Sequence, residues 1–157
     1  MSRRRRALQR EIPADPQFGS LILAKFINKV MLNGKKSVAR TIVYKALDKF
    51  VSRVKAENKL EAFEAALANA KPFVEVKSRR IGGATYQVPV EIPASRQTSL
   101  AMQWIIMYSR QRPGKAMEEA LALELIDCFN NQGTTIKKKD ETHKMAEANK
   151  AFAHYKW

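Results

Sequence analysis

The sequence predicts a mainly α-helical fold, a bundle of about six helices with a protruding two-stranded β-hairpin arm, held in a single domain over residues 1–157. Three observations predict it. Apolar residues recur every three or four positions through most of the chain, and the period falls to two only once, within residues 73–92. At 45% hydrophobic residues, the 157-residue chain can build one ordinary core. No internal repeat or low-complexity linker divides it.

Ser20 precedes the stripe Leu21, Ile22, Phe26, Ile27 and Val30, and Asn33-Gly34 supplies a left-handed stop, which defines a first helix. Val38, Ile42, Ala46, Phe50 and Val54 form a second, with Lys45, Lys49 and Arg53 off the apolar line. Asn58 with Glu61 resembles a capping box, and Leu60, Phe63, Leu67 and Ala70 follow until Pro72 halts the third helix. Val74 to Arg80 and Thr85 to Ile92 then alternate around Gly82-Gly83, a hairpin; alternation puts Glu75, Lys77 and Arg79 on one face and Val74, Val76, Tyr86 and Val88 on the other, docked face. Leu100, Trp104, Ile105 and Tyr108 mark a fourth helix ending at Arg112-Pro113-Gly114, and Met117, Leu121, Leu125 and Phe129 a fifth ending at Asn130 to Gly133. A sixth is expected to start near Asp140, after the basic approach Lys137-Lys138-Lys139, and to run toward Phe152. Trp104 and Phe129 read as core, Cys128 as a small core residue, and the aromatic end Phe152, Tyr155, Trp157 reads equally as packing against the body or as stacking on nucleotides.

The charge points to the partner. With 29 Lys plus Arg against 15 Asp plus Glu, the net charge is +14, and self-repulsion on that scale is relieved by a polyanion. Residues 1–80 hold 19 basic and 7 acidic residues (+12), the remainder 10 and 8 (+2), so the first half carries the effect. Arg3, Arg4, Arg5, Arg6 and Arg10 define a basic, flexible N-terminal arm over residues 1–17, expected to be unfolded until bound along phosphates. Lys77, Arg79 and Arg80 converge beside two glycines as a basic finger, where guanidinium groups can fork onto phosphate or stack on a base. Lys35 and Lys36 oppose the dipole at the start of helix two, either as an anion contact or as a solvated turn. Arg110, Arg112 and Lys115 bracket Pro113-Gly114 as a basic corner suited to phosphate.

Other function classes find no support. One cysteine and two histidines give neither a disulfide nor a zinc set, and no metal or other cofactor is expected. Gly34-Lys35-Lys36 lacks the earlier glycine and the hydroxyl residue of a phosphate-binding loop, no G-x-S-x-G or H-E-x-x-H occurs, and His143 and His154 have no nucleophile between them, so the chain reads as a non-enzyme. No apolar run reaches membrane-spanning length and Met1 to Arg10 lacks the hydrophobic centre of a signal, so a mature cytoplasmic protein with no membrane partner is expected. A DNA-bending architectural protein, also a helical base with a basic β-arm, stays open on composition, although Gly82-Gly83 offers no wedge residue.

The string from Glu75-Val76-Lys77-Ser78-Arg79-Arg80-Ile81-Gly82-Gly83-Ala84-Thr85-Tyr86-Gln87-Val88-Pro89-Val90-Glu91 resembles the signature of the bacterial small-subunit ribosomal protein seven family. The likeness continues through Lys25-Phe26-Ile27-Asn28-Lys29, Gly34-Lys35-Lys36, Leu100-Ala101 with Trp104, and the ending Lys144 to Trp157. It implies a structural constituent of the small ribosomal subunit that binds the 3′ major domain of the rRNA early and nucleates head assembly. By the same resemblance, the arm Arg3 to Arg6 and Arg10, together with Lys25, Lys29, Lys35, Lys36, Lys77, Arg79, Arg80, Arg96, Arg110, Arg112 and Lys115, would touch rRNA. Arg79, Arg80, Gly82, Gly83, Ala84, Lys137, Lys138, His143 and Lys144 would lie near exit-site tRNA and mRNA, with ribosomal protein eleven and other head proteins adjoining. Ala94, Ser95 and Gln103 depart from it, standing where family members more often carry basic residues.

Overall fold

Six α-helices, a two-stranded antiparallel ribbon and a 3₁₀ turn follow one another in the computed structural model, which describes residues 10–155. Helix α1 (Leu21–Val30) starts where Ser20 accepts a hydrogen bond from the Leu23 amide, and the chain leaves it through Asn33 and Gly34, both at positive φ. Helix α2 (Lys36–Val54) ends on Lys55 in the left-handed conformation. Helix α3 (Lys59–Ala70) is capped by Asn58, which accepts from the Leu60 amide, while Glu61 accepts from the Asn58 side-chain amide at 2.8 Å. That differs from a reciprocal capping box, in which Glu61 would reach the Asn58 backbone.

Strands β1 (Val74–Ile81) and β2 (Ala84–Glu91) pair in register Val74 to Glu91 and Ile81 to Ala84. Gly82 and Gly83 have φ of +56° and +91°, the double positive turn that a two-residue hairpin needs. The register corrects the expected faces. Arg79 lies opposite Tyr86 and Lys77 opposite Val88, and directly paired residues share a face, so the cations and the two apolar residues stand on the same side of the ribbon. Alternation orders the residues within each strand, and the two-residue turn sets the phase between the strands.

Helix α4 (Ala94–Gln111) begins six residues before the first stripe residue Leu100, because Ala94 to Thr98 is a polar first turn seeded on the Pro93 carbonyl. Helix α5 (Met117–Phe129) packs against α2, α3, α4 and α6 and buries Leu121, Ala122, Leu125 and Cys128. Helix α6 (Gly133–Ala148) starts seven residues before Asp140, so Lys137, Lys138 and Lys139 are inside the helix and Asp140 is no cap. Gly133 has φ +88°, and a Cβ there would meet Asp127 Cβ at 2.8 Å, so a glycine is what lets α6 begin against the end of α5.

The core gathers Leu23, Phe26 and Ile27 of α1, Val43, Leu47 and Phe50 of α2, Phe63 and Leu67 of α3, Met102 and Ile105 of α4 and the buried stripe of α5. The ribbon leans on α6 and on the 3₁₀ turn Lys150–Tyr155, where Tyr86 meets Phe152 and Tyr155 with ring centroids 5.4 and 5.0 Å apart. The two described aromatics of the C-terminal end thus pack within the molecule. Trp104 is only half-buried, lining a cleft of about 470 Å³ with Glu75, Val76, Leu100 and Met145, whereas Phe129 packs on Phe50 beside the core.

Candidate nucleic-acid interface

The basic residues divide by what their charge already does. Arg112 is the most heavily engaged within the fold. Its guanidinium bonds Glu124 Oε2 at 3.1 and 2.5 Å and also Asp127. Glu124 is completely buried, and its other oxygen accepts from the Thr135 amide at 3.2 Å, from Thr135 Oγ1 at 2.7 Å and from Thr134 Oγ1 at 3.2 Å. A carboxylate of α5 therefore caps α6 from outside, and Arg112 neutralises it. Desolvation pulls the Arg112 guanidinium down, but the hydrogen bonds to Glu124 and Asp127 outweigh it and leave it above its ordinary value. A cation so used is part of the fold.

Several others are tied more lightly. Lys29 Nζ donates to the Ser99 carbonyl at 2.8 Å and hydroxyl at 2.7 Å, and burial lowers its pKa. Arg110 donates to the Val30 carbonyl at 3.2 Å. Arg96 grips Glu75 at 2.9 to 3.2 Å, and that hydrogen bond holds the Glu75 carboxyl below the usual carboxylate range against its own burial; Lys77 adds a weaker 3.4 Å pair. Arg79 donates to the Tyr155 carbonyl, and Lys115 lies 3.4 Å from Glu119. Lys45 and Lys49 both face Glu118, which ties α2 to α5.

The remaining cations are turned outward. Lys25, Lys35, Arg80, Lys137 and Lys144 are exposed and, with Lys36 and Lys138, make no side-chain hydrogen bond or ion pair among the described residues. Arg10 is exposed too, but Arg3, Arg4, Arg5 and Arg6 lie outside the described residues, as does Trp157. The arm expected over residues 1–17 is anchored at its inner end. Asp15 is buried at 3% exposure, accepts from the amides of Gln17 and Phe18 at 3.2 Å each, and receives the Tyr44 hydroxyl at 2.7 Å. Burial and then that bond push the Tyr44 hydroxyl up to about 12.

Two surfaces result. Between α1 and α4, Lys25 and Lys29 line a hollow of about 380 Å³ with Ser95, Thr98 and Ser99; Lys29 also lines one of about 560 Å³ with Arg110, Gln103 and Gln111. Lys25, Lys29 and Arg110 thus follow one groove. At the start of α2, Lys36 and Arg40 line a third hollow beside Asp15, of about 280 Å³, and Arg40 Nε is buried with no partner among the described residues. Arg40 escaped the sequence reading, although its spacing of four from Lys36 already put both on one side of α2. The first turn of α2 holds no acid and Lys35 makes no side-chain cap, so Lys36 and Arg40 face the hollow with exposed Lys35 next to them and no carboxylate of that turn to neutralise them.

The ribbon tip is apart from both surfaces in sequence and construction: Arg80, Gly82, Gly83 and Ala84 are exposed there, near Arg79. His143 stands at the ribbon's root, accepting from the Phe73 amide at 3.1 Å, with Lys144 next to it. Among the described residues no three His, Cys, Asp or Glu come together to hold a metal ion, and no helix is long and apolar enough to cross a membrane.

A chain built this way, with acids spent at helix junctions and cations left along grooves, presents a surface for a folded polyanion. The family model described as ribosomal protein S7p/S5e matches residues 2–150. Curated relatives called small ribosomal subunit protein uS7 are similar over the whole of both chains: 69% identical in Protochlamydia amoebophila, 67% in Chlamydia abortus and 66% in Chlamydia felis. On its fold, its basic surfaces and this match, the chain belongs to the S7p/S5e family of ribosomal proteins.

Proposed function

We propose that this chain binds the 3′ major domain of small-subunit rRNA directly and nucleates assembly of the subunit head, with the ribbon tip and α6 near exit-site tRNA and mRNA and with ribosomal protein eleven adjoining. As a family member it is a structural constituent of the small ribosomal subunit and not an enzyme. The observation that carries the RNA contact is the cluster at the start of α2. Lys36 and Arg40 line one hollow at an acid-free helix start next to exposed Lys35, and the one acid lining it, Asp15, is already committed to Tyr44 and two backbone amides. Phosphate oxygens satisfy such an arrangement; neutral ligands do not.

The mechanism is electrostatic clamping. Two separated surfaces on one rigid helical body, the α1–α4 groove and the α2 corner, can grip phosphates on different arms of an RNA junction. Each contact releases counterions and cuts the repulsion that holds those arms apart. Arg112 drops out of this interface, because removing it from Glu124 would leave a buried charge. Arg79, Arg96 and Arg110 use part of their hydrogen-bonding capacity internally, which fixes their heads before RNA arrives.

The test is binding to a structured 3′-domain rRNA fragment across a salt series, with duplex DNA as competitor. Replacing Lys35, Lys36 and Arg40 together with Gln should flatten the log affinity against log salt slope by about two to three. An unchanged slope removes the α2 corner from the interface, and equal affinity for the DNA at 0.15 M salt overturns the RNA assignment.

A further inference from the structure

We propose that Phe73 is a stacking platform for one unpaired nucleobase of single-stranded RNA at the root of the ribbon. The proposal rests on the RNA-binding reading above and names what one more part of the surface takes. Phe73 lies between α3 and β1 and is 65% exposed, the most exposed of the large apolar side chains among the described residues. Its sequence neighbourhood gives it no stripe to join: Pro72 before it is buried, and the alternation of β1 begins after it.

The ring is nevertheless held in place. The Phe73 amide donates to His143 Nε2 at 3.1 Å, and its carbonyl accepts from the Ile92 amide at 3.0 Å, closing the base of the ribbon. The imidazole of His143 stacks on the ring with centroids 6.0 Å apart and planes 29° from parallel. One side of the ring is thus backed by His143, while the residue as a whole stays 65% exposed. A fixed aromatic face in water is what a base stacks on at little entropic expense.

The charge around it selects the ligand. Lys71 is two residues before Phe73. Lys139, one turn before His143, donates to the Asn69 carbonyl at 2.9 Å and lies 3.9 Å from Asp140. Lys144, beside His143, is exposed. The acids Glu75 and Asp140 are paired with Arg96 and Lys139, and on a chain of net charge +14 a lone exposed ring favours a ligand with both a π face and negative charge. A protein partner would call for a continuous apolar patch, and of the ring's sequence neighbours Pro72 is buried and Val74 only partly exposed.

The experiment uses the full chain, with a uridine 12-mer and the structured rRNA fragment as probes, each followed by fluorescence anisotropy. Phe73→Leu keeps an apolar side chain but no flat face, and should weaken binding to the 12-mer by about 5- to 100-fold, while Phe73→Tyr stays within about twofold of the original. Equal binding of the Leu variant and the original chain overturns the platform, as does an original chain that binds the rRNA fragment but ignores the 12-mer. Failure of the original chain on the rRNA fragment sinks the RNA-binding reading instead. A photoreactive benzoyl-phenylalanine at position 73, in reconstituted subunits with and without mRNA and tRNA, identifies the source. A cross-link to an unpaired nucleotide supports the platform and says whether rRNA, mRNA or tRNA supplies it; a cross-link to protein alone overturns it.

Discussion

Replacing Arg112 with Met separates a cation of the fold from a cation of the interface. Glu124 has no exposure and five hydrogen bonds, two of them from Arg112, so deleting the guanidinium leaves a carboxylate in the core opposed only by the donors at the start of α6. Breaking a buried pair by removing one partner costs about 3–5 kcal/mol. The Arg112 side chain is 29% exposed and three donors from Thr134 and Thr135 stay on Glu124, which puts the loss at the lower end, about 3 kcal/mol. For a chain of this length that lowers the melting temperature by roughly 6–12 °C. Urea unfolding followed by circular dichroism measures it, with an unchanged m-value showing that stability rather than compactness has moved. The salt slope for the rRNA fragment, taken where the variant is folded, should stay as it was. A stability loss below about 1 kcal/mol, joined to a slope about one unit flatter, would make Arg112 a phosphate contact and refute the assignment.

Two further outcomes follow from the titrating groups. Arg96 holds Glu75 below its ordinary pKa, so the stabilisation is complete above the unfolded value and is lost as pH falls through the lowered folded value. Between roughly pH 5 and pH 3 the original chain should therefore lose more unfolding free energy than Glu75→Gln does, and parallel curves would mean that the Arg96 contact does not persist in solution. Burial first, with Glu124 adding to it, pushes the Cys128 thiol up to about 12, so iodoacetamide at pH 8 should leave the folded protein unlabelled and label it at full rate in urea; rapid labelling of the native chain would contradict the packing of α5.

What the sequence made legible depended on how local each cause was. Helices α1, α2, α3 and α5 carry their stripes and stops within their own residues, as Ser20 and Asn58 do for two starts. One error is non-local, and the others come from local signals that no apolar stripe carries. The beginning of α6 depends on Glu124, nine residues before Gly133 and in another helix, so the lysine run at 137–139 looked like an approach when it was already helical. The early start of α4 was hidden because its first turn is polar. The face of the ribbon was misassigned because alternation fixes each strand alone, whereas the two-residue turn sets their relative phase. At the basic corner by Pro113, composition cannot tell that Arg112 points at the buried carboxylate of Glu124 while Arg110 meets a carbonyl.

The departures at Ala94, Ser95 and Gln103 acquire a physical sense in the α1–α4 groove. Ser95 lines the hollow with Lys25 and Lys29, and Gln103 lines the next one with Lys29 and Arg110. At these two positions the chain places a hydroxyl and an amide between cations that are already fixed by Ser99 and Val30. Additional charge there would raise the repulsion that Lys29, already lowered by burial, has to bear. Neutral donors lengthen the polar lining without that cost, and they still reach phosphate and ribose oxygens. On the proposed RNA-binding reading, the groove would then depend less on counterion release, leaving the steepest salt dependence to the α2 corner, where the Lys35 and Lys36 ammonium groups have no partner among the described residues.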